Sequence, residues 1–224
     1  MQTRAVIFDM DGLIIDTEPV WRRVEIDVFD RLGLHLTEEQ CMETMGVRVA
    51  DVVKLWHSRH PWHEPSVADV TRGIVQGVID HVTAEGEPKQ GVMRAIQEVH
   101  NAGLPIAIAS SSSEEMIRAI TNRLNITCYV DVIASADDEE KGKPDPAVYV
   151  SAARRLGIPS HACVALEDSP NGVLAAKAAG MYCIAVPDPY LATDPRMDQA
   201  DVRIDTLEDF SLELLPGLAG LSTG

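Results

Sequence analysis

Ala5-Val6-Ile7-Phe8-Asp9-Met10-Asp11-Gly12 is an unbroken apolar run that ends in two acids and a glycine. A run without alternation suits a strand buried on both faces, and an acid at its carboxyl end puts charge where parallel sheets bind ligands. Similar runs recur at Pro105–Ser110, Val132–Ala134, Cys163–Glu167 and Tyr182–Val186. Helical patterns alternate with them at Val92–Asn101, Glu114–Leu124, Ala147–Leu156 and Gly172–Ala179, and Gly103, Gly157 and Gly180 stand just past three of these as left-handed caps. The spacing predicts an α/β chain with a parallel sheet covered by helices on both faces.

One stretch breaks the alternation. From Thr17 to about Thr83 the patterns are helical only, which predicts an inserted helical unit. Thr37-Glu38-Glu39-Gln40 has capping-box spacing, and Val67, Val70, Ile74, Val78 and Val82 form a stripe that needs a partner helix. Gly46, Pro61 and Pro65 divide the insertion into roughly four helices, and Ala84–Pro88 reads as a linker back to the sheet. The tail after Pro216 is expected to fray.

A net charge of -16, from 35 acidic and 19 basic side chains, repels nucleic acid and anionic lipid, and no basic patch offsets it. An anionic substrate must then be captured by a local cation or a metal. Cys41, Cys128, Cys163 and Cys183 are widely spaced without zinc-site grouping and read as core thiols. The apolar run after Met1 is too short for a signal peptide or a membrane span, so a cytoplasmic chain, without membrane or nucleic-acid partners and monomeric, is expected.

Four groups of polar residues stand at strand ends. Asp9 and Asp11 can divide attack and proton transfer between them, although acidic turns are common. Ser110 to Ser113 offer hydroxyls and backbone N–H groups to an anion, and Ser113 before Glu114 and Glu115 also fits a helix cap. Lys143, in Lys141-Gly-Lys-Pro-Asp-Pro146, is a cation on restricted backbone, suited to a phosphate. Glu167 and Asp168 supply the hard oxygens that magnesium prefers.

Taken in this order, the nucleophile, hydroxyl, lysine and acid pair resemble the motifs of the haloacid dehalogenase superfamily of phosphatases, over the whole chain. The resemblance implies a Rossmann-like core of residues 1–14 and 85–224 with a helical cap of residues 15–84. It also implies a phosphorylated Asp9, Asp11 as general acid and base, and Ser110, Ser111 and Lys143 holding the phosphoryl oxygens. Mg2+ would be held by Asp9, the Asp11 carbonyl and Asp168, with Glu167 as an alternative ligand or a neighbour to the ligands. The segments Met10–Trp21, Gly46–Trp56 and Val164–Gly172 are similar to the enterobacterial hexitol phosphatases, also described as 2-deoxyglucose-6-phosphatases. A small phosphorylated metabolite, a sugar or polyol phosphate, is the substrate this implies, with Glu18, Arg48 and Asn171 as its contacts.

Asp11 argues against a dehalogenase, whose leaving halide needs no proton. The enzymatic alternative is a sugar phosphomutase resembling beta-phosphoglucomutase, but those relatives carry a gating histidine where this chain has Trp21, which cannot take over its polar role. A phospho-receiver domain, the alternative outside catalysis, would be about half as long and lack the cap. His57, His60 and His63 surround a helix-breaking Pro61 and make a weak metal site, whereas Trp56 and Trp62 read as cap core before sugar platforms.

Overall fold

The computed structural model describes residues 2–44 and 47–218, apart from the side chain of Glu18. Gly46, expected to end a cap helix, lies outside the described residues, as does the tail beyond residue 218. Pro216 itself is tied down, because its carbonyl accepts from the Thr3 N–H and hydroxyl.

The sheet comprises β1 (Ala5–Phe8), β2 (Ile106–Ser110), β3 (Val132–Ser135), β4 (Cys163–Glu167), β5 (Tyr182–Ala185) and β6 (Val202–Arg203). All pairings are parallel, in the order β3-β2-β1-β4-β5-β6. Five of these strands follow from the apolar runs. The sixth spans two residues with Arg203 exposed, too short to leave a pattern in the sequence. Because the chain winds outward in both directions from β1, the crevice at the carboxyl ends of β1 and β4 is the switch point where such sheets bind ligands.

The insertion holds α1 (Glu18–Arg31), α2 (Glu38–Met42), α3 (Val49–Arg59) and α4 (Val67–Glu85). Thr37 and Gln40 make the capping box at α2, and the Ser66 hydroxyl caps α4. The core helices are α5 (Val92–Asn101), α6 (Glu114–Arg123), α7 (Ala147–Leu156) and α8 (Pro170–Ala178). Gly103, Gly157 and Gly180 follow α5, α7 and α8 with φ near +70°, and Asn125 takes the left-handed position after α6 at φ 56°.

Alternation along the strands sorts two cores. Val6, Phe8, Ile106, Ile108, Val164 and Leu166 face α5 and α6, whereas the small residues Ala5, Ala107, Ala109 and Ala165 let α7 and α8 approach the other face closely. A third cluster, built on Phe29, Leu36, Val53, Trp56, Val70 and Ile74, is the cap's own. The α4 stripe does not stay within the cap: Val78 and Val82 are buried in the cluster that backs the sheet. Cys41, Cys163 and Cys183 are buried thiols as expected, but Cys128 is exposed, because it lies on a short 3-10 turn at the surface instead of on an element facing a core.

Candidate active site

The register that pairs Phe8 with Leu166 brings Asp9 out beside Glu167, with Asp168 one residue further on. The Asp9 N–H still bonds to the Leu166 carbonyl at 3.0 Å, so the carboxyl group leaves the sheet from a fixed backbone. Ser110 closes the neighbouring β2, one step beyond the level of Asp9. After Asp9 the chain folds into a tight turn in which Gly12 N–H bonds to Ile15 at 2.9 Å and Gly12 takes a φ of +81°.

Two glycines keep room for carboxylates. A Cβ on Gly12 would lie 2.0 Å from Asp168 Oδ2, and one on Gly172 would lie 1.9 Å from Glu167 Oε1. Gly12→Ala therefore combines backbone strain, on the order of 1–2 kcal/mol, with displacement of Asp168. Phosphate release should fall at least tenfold with a lowered melting temperature; a variant as active as the wild type would show that Asp168 can move without consequence.

Lys143 is buried among acids. Its ammonium donates to Asp9 Oδ1, to Glu167 Oε1 at 2.6 Å and to the Ala109 carbonyl at 3.1 Å. Tyr149, on α7, donates its hydroxyl to the same Glu167 oxygen at 2.5 Å, while the Ser169 N–H and hydroxyl donate to the other at 3.3 and 3.2 Å. Burial opposes the charge on Lys143, yet the adjoining Asp9 and Glu167 carboxylates outweigh it and push the ammonium pKa up. Burial also pushes the Asp9 carboxyl well up; Lys143 pulls it back, and the charges of Glu167 and Asp11 add to the rise. Asp9, Glu167 and Asp168 are all buried, with oxygens within 4.8 Å of one another.

Asp11 is oriented from two sides. The Thr17 hydroxyl and the Trp21 indole N–H donate to Oδ1 at 2.7 and 3.2 Å, and the Ser110 and Ser112 hydroxyls donate to Oδ2 at 3.0 and 2.7 Å. Trp21 nonetheless takes a polar part of its own, because one end of its indole is a hydrogen-bond donor and α1 aims it at Asp11.

A cleft opens beside Asp11. Ser111 and Ser112 line it from the core, and Trp21, Arg22, Glu25 and Cys41 from the cap. Arg48 and Asn171 are absent from its lining among the described residues. The Arg48 guanidinium bridges cap to core, donating to the Ala136 and Glu139 carbonyls at 3.2 and 3.1 Å and pairing with Asp51 at 2.8 Å. Asn171 accepts from Arg196 at 3.0 Å. The side chain of Glu18 lies outside the described residues.

The aromatic pair packs in the cap core, as expected. Trp56 is 1% exposed in the cap cluster, and Trp62 packs edge-on against Phe29 and donates to the Pro65 carbonyl, so neither faces the cleft. His57 meets Trp62 edge-on at 4.5 Å. Sequence reasoning passed over Tyr149 and Glu25 and took Ser112 only as one of the serines offered to an anion. Tyr149 follows the spacing of an ordinary core aromatic, and an acid within an amphipathic helix carries no signal of burial.

The sequence profile of haloacid dehalogenase-like hydrolases matches residues 3–180. Hexitol phosphatase B of Escherichia coli K12 is 38% identical over 217 residues, covering 96% of this chain and 98% of its own. The crystal structure of a CbbY variant from Rhodobacter sphaeroides, in complex with xylulose-1,5-bisphosphate, superposes with a TM-score of 0.83 at 30% identity, covering 93% of this chain and 96% of its own. Beta-phosphoglucomutase of Clostridium difficile shares the fold, with a TM-score of 0.82 at 19% identity over 95% of both chains. With Asp9, Asp11, Lys143 and Asp168 gathered at the ends of the parallel strands, the chain belongs to the haloacid dehalogenase-like hydrolases, as a phosphatase of that family.

Proposed function

We propose that the chain hydrolyses small sugar or polyol phosphates through an aspartyl-phosphate on Asp9. The observation that carries this reading is the buried contact of Lys143 with Asp9 beside a second, separately oriented carboxylate at Asp11. Attack by Asp9 on phosphorus transfers the phosphoryl group and releases the alcohol; Asp11 in its protonated form gives that alcohol its proton. Asp11 then takes a proton from the water that hydrolyses the acyl phosphate, returning both groups to their starting states. Lys143 and the Ser110 and Ser111 region hold the phosphoryl oxygens, where fixed charge matters most.

The acids fit Mg2+. Three carboxyl groups, those of Asp9, Glu167 and Asp168, lie beside the Lys143 ammonium with oxygens within 4.8 Å of one another, and their hard oxygens are the donors that ion prefers. Asp9, Asp168 and the Asp11 carbonyl would hold it, and when bound it supplies positive charge to the phosphoryl group. Glu167 could offer an oxygen as well, but its two oxygens already accept from Lys143, Tyr149 and Ser169, which suits it to fixing Lys143.

The leaving alcohol enters the cleft under the cap. Similarity to hexitol phosphatase B supports a hexitol or hexose phosphate there, and the cap leaves Arg48 as a brace whose loss would loosen closure over a sugar. Glu18 and Asn171 remain proposed contacts. A cytoplasmic monomer is consistent with this role, and no described helix is long and apolar enough to cross a membrane. Phosphate release over a panel of hexitol, hexose and nucleotide monophosphates tests the reading. Hexitol or hexose phosphates should lead at least tenfold, EDTA should silence them and Mg2+ restore them; faster release from nucleotides, or turnover that survives chelation, would overturn it.

A further inference from the structure

Glu25 is 7% exposed, an ionisable side chain kept out of bulk water on α1, yet it lines the cleft that holds Asp11. Among the described residues its hydrogen-bonding partner is the Cys41 thiol, a weak donor. A buried carboxylate normally collects strong donors or an ion pair, because desolvation without them costs several kcal/mol. Glu25 has acceptor capacity in hand, facing the space a leaving alcohol must occupy.

Its place along the helix adds direction. Trp21 and Glu25 are four residues apart on α1 and share a face. Trp21 reaches Asp11, the group that protonates the ester oxygen, so Glu25 stands one turn, about 6 Å, further along the same wall. That is where the hydroxyl-bearing carbons beyond the ester bond would lie. One carboxylate can accept from two neighbouring hydroxyls, a pattern that distinguishes a polyol from an apolar alcohol.

We propose that Glu25 is a specificity-determining residue that accepts hydrogen bonds from the hydroxyls of the leaving alcohol; this deepens, and rests on, the sugar-phosphatase reading. Burial supports it by pushing the Glu25 carboxyl from 4.5 up to about 7, with the Cys41 thiol acting against the rise. The charged and titratable groups around it are Arg22 on its own helix, Cys41 and Glu38 on α2, and Asp11 across the cleft from the core. A buried carboxyl whose partner among the described residues is a thiol gains most from two hydroxyl donors.

Steady-state kinetics of Glu25→Gln and Glu25→Asp on glucitol 6-phosphate and p-nitrophenyl phosphate test this, with melting temperatures as a check on folding. For Glu25→Gln, kcat/KM on glucitol 6-phosphate should fall about 10- to 100-fold, the loss expected for a hydrogen bond to a charged group. The change should lie mainly in KM, while p-nitrophenyl phosphate stays within about twofold, since its leaving group carries no hydroxyls to read. Wild-type preference for glucitol 6-phosphate should rise as pH passes about 7. Glu25→Gln should show no such rise, and Glu25→Asp should keep it at a lower preference. Parallel losses on both substrates, or a preference unchanged by Glu25→Gln, would overturn the assignment while leaving the sugar-phosphatase reading intact. A wild-type enzyme that prefers esters without hydroxyls would overturn both.

Discussion

Asp9→Asn is expected to reduce phosphate release by roughly 10³-fold or more, on the scale seen when a nucleophile is removed from a site that otherwise remains whole. An amide nitrogen or oxygen in this position cannot form the acyl phosphate, and no other carboxylate takes its place. Glu167 accepts from Lys143, Tyr149 and Ser169, and Asp11 is held in place by four donors of its own. Folding should survive. Burial raises the Asp9 pKa above its ordinary 3.8, so ionising it in the folded state opposes folding, and that opposition grows as pH rises from the ordinary value to the raised one. A neutral Asn relieves it, and Lys143 keeps Glu167 as partner. Melting without added metal near pH 7 should therefore shift little or upward. A residual rate above about one hundredth of the wild type would remove Asp9 from the role of nucleophile.

Lys143→Ala should damage both chemistry and fold. The ammonium is the only cation in contact with Asp9 and Glu167 among the described residues, and removing one partner of a buried ion pair costs about 3–5 kcal/mol. Loss of a charge aimed at the phosphoryl oxygens should lower kcat by roughly 10²–10³-fold besides. The sign of the pH dependence separates this from loss of packing. Without Lys143 nothing pulls the Asp9 carboxyl down, so it rises further, and its protonated form suits the folded state over a wider range. The stability deficit should then be small near the ordinary aspartate value of 3.8 and widen as pH climbs to 8. Denaturant titrations at several pH values measure it; a deficit that stays constant with pH would mean that the lysine stem, rather than its charge, holds this part of the core.

Much of this arrangement can be read before any coordinates. Buried parallel strands must be apolar on both faces, so Ala5–Phe8 and Cys163–Glu167 stand out, and a charge at the end of such a run, Asp9 or Glu167, has few reasons to be there except chemistry. The helical insertion was legible because helical periodicity runs for some sixty residues without a strand pattern, where α1 to α4 lie. What escaped depends on direction, which periodicity does not carry. Trp21 and Glu25 belong to a helix whose sequence does not say which face meets the core, and Tyr149 looks like any aromatic until its hydroxyl is found on Glu167. Cys128 was misjudged for the same reason: a thiol's burial follows from where its turn lies, and three-residue turns have no pattern. Arg48 reads from the sequence as a substrate contact, and only the carbonyls of Ala136 and Glu139 identify what it holds in the free chain.

The double allegiance of α4 bears on how such enzymes exchange caps. Val70 and Ile74 belong to the cap cluster, whereas Val78 and Val82, about one and two turns past Ile74, complete the cluster behind the sheet. Between them, Gly77 lets α1 come so close that a Cβ there would lie 2.9 Å from Val24 Cγ1. A transplant cut at the linker 84–88 would carry part of the sheet's own packing away with the cap. The natural seam is within the helix, near Gly77, and a foreign cap grafted there would need only to continue one helix in phase while leaving Val78 and Val82 to the scaffold that already houses them.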